Sequence, residues 1–157
     1  MKDLFLAILT WFRPSVAPPA SYTPPQPTQT ATVIPTPPSS TPPALLWDTK
    51  DNVRHSIRVI GDSFLMTPHM KDLLCDIARC ESGFNPNAKL INSPKSIDRG
   101  LYQWNSYYHP EITDAIAYDP EQNTRIACKA VLARKATVYW SASKFCWNIG
   151  GKYDDII

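Results

Sequence analysis

The 157-residue sequence has no apolar run long enough to cross a bilayer, no cluster of basic residues and no large excess of either charge. A membrane-spanning helix needs roughly 20 apolar residues. The apolar stretch over residues 4–12, which follows Met1-Lys2-Asp3, falls well short of that. The formal net charge is +2, and no Lys/Arg block offers a footprint for a phosphate backbone, so nucleic acid is not an expected partner. Proline is scarce where a fold would need it to be: of 16 prolines, eleven lie within residues 14–43 and only five follow. That proline-rich stretch in turn has no charged residue, and none follows it before Asp48.

These absences divide the chain. Residues 1–13 have the length of the apolar core of a secretory signal, with a membrane-associated or free tail as the other reading. Residues 14–47, made mainly of Pro, Thr, Ser, Ala and Gln, cannot nucleate a core, because proline fixes φ and removes backbone donors. They are expected to form a disordered, extended linker. Residues 48–157, about 110 in number, are enough for one modest core, for which covalent staples would be useful.

Within that domain the punctuation is mostly helical. Asp48-Thr49 before Val53, Ile57 and Ile60 suggests an amphipathic helix capped at Gly61, although Val53, Ile57 and Val59 would also permit a strand. Thr67-Pro68 is a hydroxyl cap followed by proline at the first helical position, opening a helix that stops near Gly83. A polar, turn-rich stretch from Asn85 to Gly100 suits a small hairpin or ordered loop. Pro110 is expected to open a short helix over residues 111–117. Asp119-Pro120-Glu121-Gln122 resembles a capping box and leads into Ile126, Ala127, Ala130 and Val131 at helical spacing. The fold class expected is mainly α, with one irregular or hairpin lobe between two main helices.

One carboxyl interrupts the pattern. Leu74, Ile77, Ala78 and Glu81 stand at i, i+3, i+4 and i+7, the template of a buried apolar stripe. Helical side chains lean toward the N-terminus, which lays Glu81 over Ile77 and Ala78. Lost water disfavours the charged form and raises the carboxyl's pKa, as a general acid for glycosidic cleavage requires. The bland alternative is a solvated Glu near a helix end.

The run Cys80-Glu81-Ser82-Gly83-Phe84-Asn85-Pro86-Asn87-Ala88, followed by Gly100-Leu101-Tyr102-Gln103-Trp104-Asn105, resembles the lysozyme-like lytic transglycosylase family. The resemblance spans roughly residues 72–147. It implies an α+β lysozyme-like catalytic domain with Glu81 as the acid and Gln103 in the cleft, and it offers Ser82, Asn85 and Tyr102 as further substrate contacts. It also implies peptidoglycan glycan strands as partner, cleavage between N-acetylmuramic acid and N-acetylglucosamine, no metal or other cofactor, and a secreted or cell-envelope location. A monomer is expected. The family's single-acid chemistry yields 1,6-anhydro products. Goose-type lysozymes instead place acids near the Gly-Leu-x-Gln segment, where Asp98 would be the second carboxylate of a hydrolytic muramidase. A third reading is a glycan-binding module that does not cut. Among Tyr102, Trp104, Tyr107, Tyr108 and Trp140, Tyr102 is the expected sugar-stacking ring because it lies inside the motif.

Cys75, Cys80, Cys128 and Cys146 permit three pairings. Residues five apart on a helix stand roughly 8 Å apart at Cα, beyond disulfide reach, so Cys75–Cys80 is ruled out if the helix is intact. Zinc fits this spacing poorly. A second resemblance, to resuscitation-promoting factors, rests on Cys80-Glu81-Ser82-Gly83 and the Cys146-Trp147 region. It implies Cys80–Cys146 and leaves Cys75–Cys128 as the other pair.

Overall fold

The computed structural model describes residues 44–157. The signal-like segment and nearly all of the expected linker lie outside the described residues. The packed chain begins slightly earlier than residue 48. Leu45 and Trp47 lie against the core, and Leu46 exchanges hydrogen bonds with Ser56, its N–H donating to Oγ at 2.9 Å and its carbonyl accepting at 2.7 Å.

Helix α1 (Lys50–Ser63) starts where Thr49 accepts a hydrogen bond from the Asn52 N–H. It does not end at Gly61, as the sequence suggests, but continues to Phe64 as its C-cap. Gly61 lies inside the helix because the Lys71 stem crosses it, and a Cβ there would meet Lys71 Cγ at 2.8 Å. Helix α2 (Pro68–Ser82) begins as expected: Thr67 caps the Met70 N–H and Pro68 occupies the first turn. It ends in a left-handed Gly83 (φ 61°), whose N–H and that of Phe84 return to the carbonyls of Arg79 and Ala78. This closing turn satisfies carbonyls that the helix end would leave bare.

The turn-rich stretch is a small antiparallel sheet in the order β1 (Lys89–Ser93), β2 (Ser96–Arg99), β3 (Trp104–Asn105). Leu90 pairs with Asp98, which in turn pairs with Asn105. The short helix α3 spans Asp114–Ala117, not residues 111–117; its N-cap is Thr113, three residues beyond the proline expected to open it. Helix α4 (Pro120–Leu132) carries the Asp119 cap read from the sequence, with the Gln122 side chain donating to the Asp119 carboxylate beside the Gln122 N–H instead of reaching back to the cap backbone. Two single-turn helices, α5 (Ala136–Tyr139) and α6 (Lys144–Trp147), and a 3₁₀ turn (Ile149–Gly151) complete the chain.

The core lies where α1 packs on α2 and α4, and the apolar stripe of α2 forms its centre: Leu73, Leu74, Ile77 and Ala78 are all fully buried. Burying each of Leu73, Leu74 and Ile77 contributes about 1.5–3 kcal/mol. Cys80 and Cys146 form a disulfide across 66 residues, joining α2 to α6. The expected Cys75–Cys128 bond is absent: both are buried free thiols. Cys75 Sγ faces the α1 backbone, 3.9 Å from the Arg54 carbonyl, which turns it to a helix other than the one that carries Cys128. Among the described residues no helix is long and apolar enough to cross a membrane.

Candidate active site

The helix stripe that fills the core delivers its last member, Glu81, to the edge of a cleft of about 550 Å³. Asp98 and Asn105 from β2 and β3, Gln103, the rings of Trp104, Tyr108, His109, Tyr139 and Trp140, and Val138 and Ala142 form the remaining walls. Glu81 is half-buried. Burial pushes its carboxyl pKa up, the Ser143 hydroxyl that donates to Oε1 pulls it down, and the nearby Asp98 charge raises it again; the net direction is upward. The cleft therefore holds a carboxyl that keeps its proton to higher pH than an ordinary one, the direction a general acid needs.

Asp98 lies in the same cleft, held from two sides. Asn105 Nδ2 donates to its Oδ1 at 2.6 Å and Asn92 Nδ2 to its Oδ2 at 2.7 Å. Asn105 also caps the turn that follows it, its Oδ1 accepting from the N–H groups of Tyr107 and Tyr108.

Gln103 sits in a left-handed backbone conformation (φ 52°), unfavourable by about 1–2 kcal/mol for a residue with a Cβ. Its side chain compensates locally, Nε2 donating to the carbonyls of Gly100 at 2.7 Å and Ala88 at 3.2 Å. The turn before it demands glycine: Gly100 has φ 73°, and a Cβ would fall 1.8 Å from the Ala117 carbonyl oxygen. Buried Asn123 fastens this turn, its amide donating to the Ala117 carbonyl while its Oδ1 accepts from the Tyr102 N–H at 3.2 Å.

Three of the residues expected to touch substrate do other work. Tyr102 is fully buried beneath the cleft, its ring centroid 5.9 Å from that of Trp140, so it cannot stack on a sugar. Motif membership placed it at the site; the core claimed its ring. Asn85 lies apart from the Glu81 cleft, beside Trp47, Lys50 and Asn87, where its Oδ1 accepts from the Asn87 N–H and shapes the turn. Ser82 does not line the cleft either. Its hydroxyl bridges the Ala78 carbonyl at 3.0 Å and the Leu101 carbonyl at 2.8 Å, locking the end of α2 to the Gly100 turn.

The aromatic wall takes Trp104, Tyr108 and Trp140 from the rings the sequence offered for stacking, and adds His109 and Tyr139, which it did not offer. Trp104 stands edge-on to His109 and Tyr139 at 5.1 and 5.5 Å, and its centroid lies 5.2 Å from that of Trp140. Trp140 is fixed in turn by an indole N–H donated to the Tyr102 carbonyl at 2.9 Å. Tyr108 and Tyr139 keep exposed faces at the rim. Such rings suit the flat apolar faces of sugars, and their spacing in sequence gives no sign of it. Ser143 was likewise invisible; only its nearness to Cys146 in the chain hinted that it would meet Glu81. Among the described residues, no group of three or more His, Cys, Asp or Glu side chains is placed to hold a metal ion.

Residues 66–142 match the family model of a lysozyme-like domain, a span that includes Glu81, Asp98, Gln103 and the whole aromatic wall. No curated protein and no solved structure matches the chain, and the likeness to resuscitation-promoting factors finds no counterpart in these comparisons. The family ties the domain to cleavage of cell-wall glycan. The match supports a lysozyme-like family for residues 66–142.

Proposed function

We propose that this domain is a lytic transglycosylase, cutting the β-1,4 bond between N-acetylmuramic acid and N-acetylglucosamine of peptidoglycan with Glu81 as both acid and base. The observation that carries this reading is the half-buried Glu81 carboxyl in an aromatic-walled cleft, its pKa raised by burial and by the Asp98 charge against the Ser143 hydrogen bond. Protonated Glu81 gives its proton to the bridging oxygen as the glycosidic bond breaks, and positive charge develops at the anomeric carbon. The resulting carboxylate takes the proton of the same sugar's 6-hydroxyl. That oxygen then closes on the anomeric carbon, leaving a 1,6-anhydro end and returning Glu81 to its acid form. No water is consumed.

A hydrolytic reading with Asp98 as second carboxylate has one observation in its favour, the presence of Asp98 in the same cleft. Each Asp98 oxygen accepts one amide hydrogen bond, which fixes the carboxylate and leaves a second acceptor site on each oxygen. An extracytoplasmic site of action agrees with both the wall substrate and the Cys80–Cys146 disulfide.

Mass spectrometry of purified peptidoglycan after digestion tests the choice. Anhydro-muropeptides are expected, and a digest containing only reducing muropeptides would overturn transglycosylation. Glu81→Gln should stop release while sedimentation with intact walls persists. Lysis by that variant at the parental rate would remove Glu81 from its role.

A further inference from the structure

We propose that Ser143 is the positioning residue of Glu81, held against it by the Cys80–Cys146 disulfide. The proposal rests on the reading of Glu81 as the acid. Ser143 stands one residue beyond the span matched to the family and 62 residues from Glu81, yet its hydroxyl donates to Oε1. Two ties therefore join the same two segments at neighbouring positions: Cys80 precedes Glu81 directly, and Cys146 follows Ser143 by three residues.

The loop that presents Ser143 is itself fixed. The Cys146 and Trp147 N–H groups return to the Ser143 carbonyl, and the buried Trp147 indole donates to the Trp140 carbonyl at 3.0 Å. The Ser143 Oγ also lies 3.3 Å from that carbonyl. A glutamate at the end of a helix has three free side-chain torsions, and orienting it in advance lowers the cost of reaching the reactive geometry.

The tie also balances protonation. The titratable groups facing Glu81 across the cleft are Asp98 from β2, Tyr108 and His109 from the segment after β3, and Tyr139 from α5; no Lys or Arg lines it among the described residues. Burial and Asp98 both favour the neutral acid, and the Ser143 hydroxyl is the opposing influence. A group that must first give a proton and then take one needs both forms within reach. Without Ser143 the carboxyl is left to burial and to Asp98, and the base half of the cycle suffers.

Carboxyl-carbon NMR titration of Glu81 tests this without relying on turnover. In Ser143→Ala the midpoint should move to higher pH by about half a unit or more, and Ser143→Thr, which keeps the hydroxyl, should restore it. The falling limb of the pH–rate profile for wall cleavage should move the same way. An unchanged Glu81 midpoint in Ser143→Ala overturns the proposal, whatever happens to activity. Wall lysis by Glu81→Gln at the parental rate would instead sink the catalytic reading, and that result is separable because the titration does not depend on it.

Discussion

Asp98 and Asn105 face one another across β2 and β3, the Asn105 amide donating to Asp98 Oδ1 at 2.6 Å. In the goose-type pattern an acid near this segment would activate water; here one neighbour is an amide that fills one of the carboxylate's acceptor sites. Asp98 acts on Glu81 through its charge, raising the Glu81 pKa.

Replacing Asp98 by Asn should therefore tune the enzyme without stopping it. Loss of a general base costs about 10²–10⁴-fold in rate. Transglycosylation predicts a much smaller loss, unchanged anhydro products, and a falling pH limb moved to lower pH because a like charge has gone. A collapse of activity within that range would mark Asp98 as the base.

Glu81 should weaken the fold that holds it. Its folded-state pKa lies above the ordinary carboxyl value, with burial as the largest cause. The neutral form is thus preferred in the native state. Stability from this group is fully present below the unfolded value and is lost as pH rises through the folded one. Denaturant midpoints of the parent and of Glu81→Gln should lie close together in acid and separate in favour of the Gln variant toward neutral pH. A gap that stays constant with pH would contradict the sign.

Gly100 admits no side chain. An added Cβ would overlap the Ala117 carbonyl, and the backbone there is left-handed. Gly100→Ala should cost about 3 kcal/mol or more, read from urea unfolding. Because the Gly100 carbonyl also holds Gln103, cleavage should fall in whatever fraction remains folded. A variant as stable as the parent would show that the turn can rearrange.

The cysteines divide into one bond and two silent thiols. Burial pushes Cys75 up to about 11 and Cys128 up to about 12, so neither is a thiolate near neutral pH. Alkylation of the folded, unreduced protein should label nothing, and the unfolded, unreduced protein should take two labels. Removing the bond in Cys80→Ala/Cys146→Ala should cost about 4 kcal/mol on the chain-entropy account. Four labels after unfolding would contradict the disulfide.

Much of the scaffold can be read from local chemistry. Thr67-Pro68 and Asp119-Pro120 mark their helices to the residue because a cap is decided by atoms three positions away. The stripe ending in Glu81 is legible for the same reason: its period is a property of one helix. Gly61 shows where this fails, since the helix passes through it under cover of Lys71, a residue on the next element. Tyr102, Ser143 and Asn123 fail in the same way. Whether Tyr102 faces sugar or core depends on Trp140, and what Ser143 touches depends on a chain reversal 62 residues long. Asn123 looks like any polar residue on a helix until α4 is set against the Gly100 turn. The Cys75–Cys128 pairing was a remainder after one bond was assigned, and the direction of the Cys75 thiol toward Arg54 decided otherwise.

Asn123 has a consequence for how a long polymer would be received. By gripping the Tyr102 amide and the Ala117 carbonyl at once, it ties the cleft floor to the same cooperative unit as the central helices. Loosening the floor therefore disturbs the core, whereas the rings of Tyr107 and Tyr108 face outward from a turn pinned by Asn105. A bulky, branched strand would thus be admitted by the lip of the cleft and held in register by its bed.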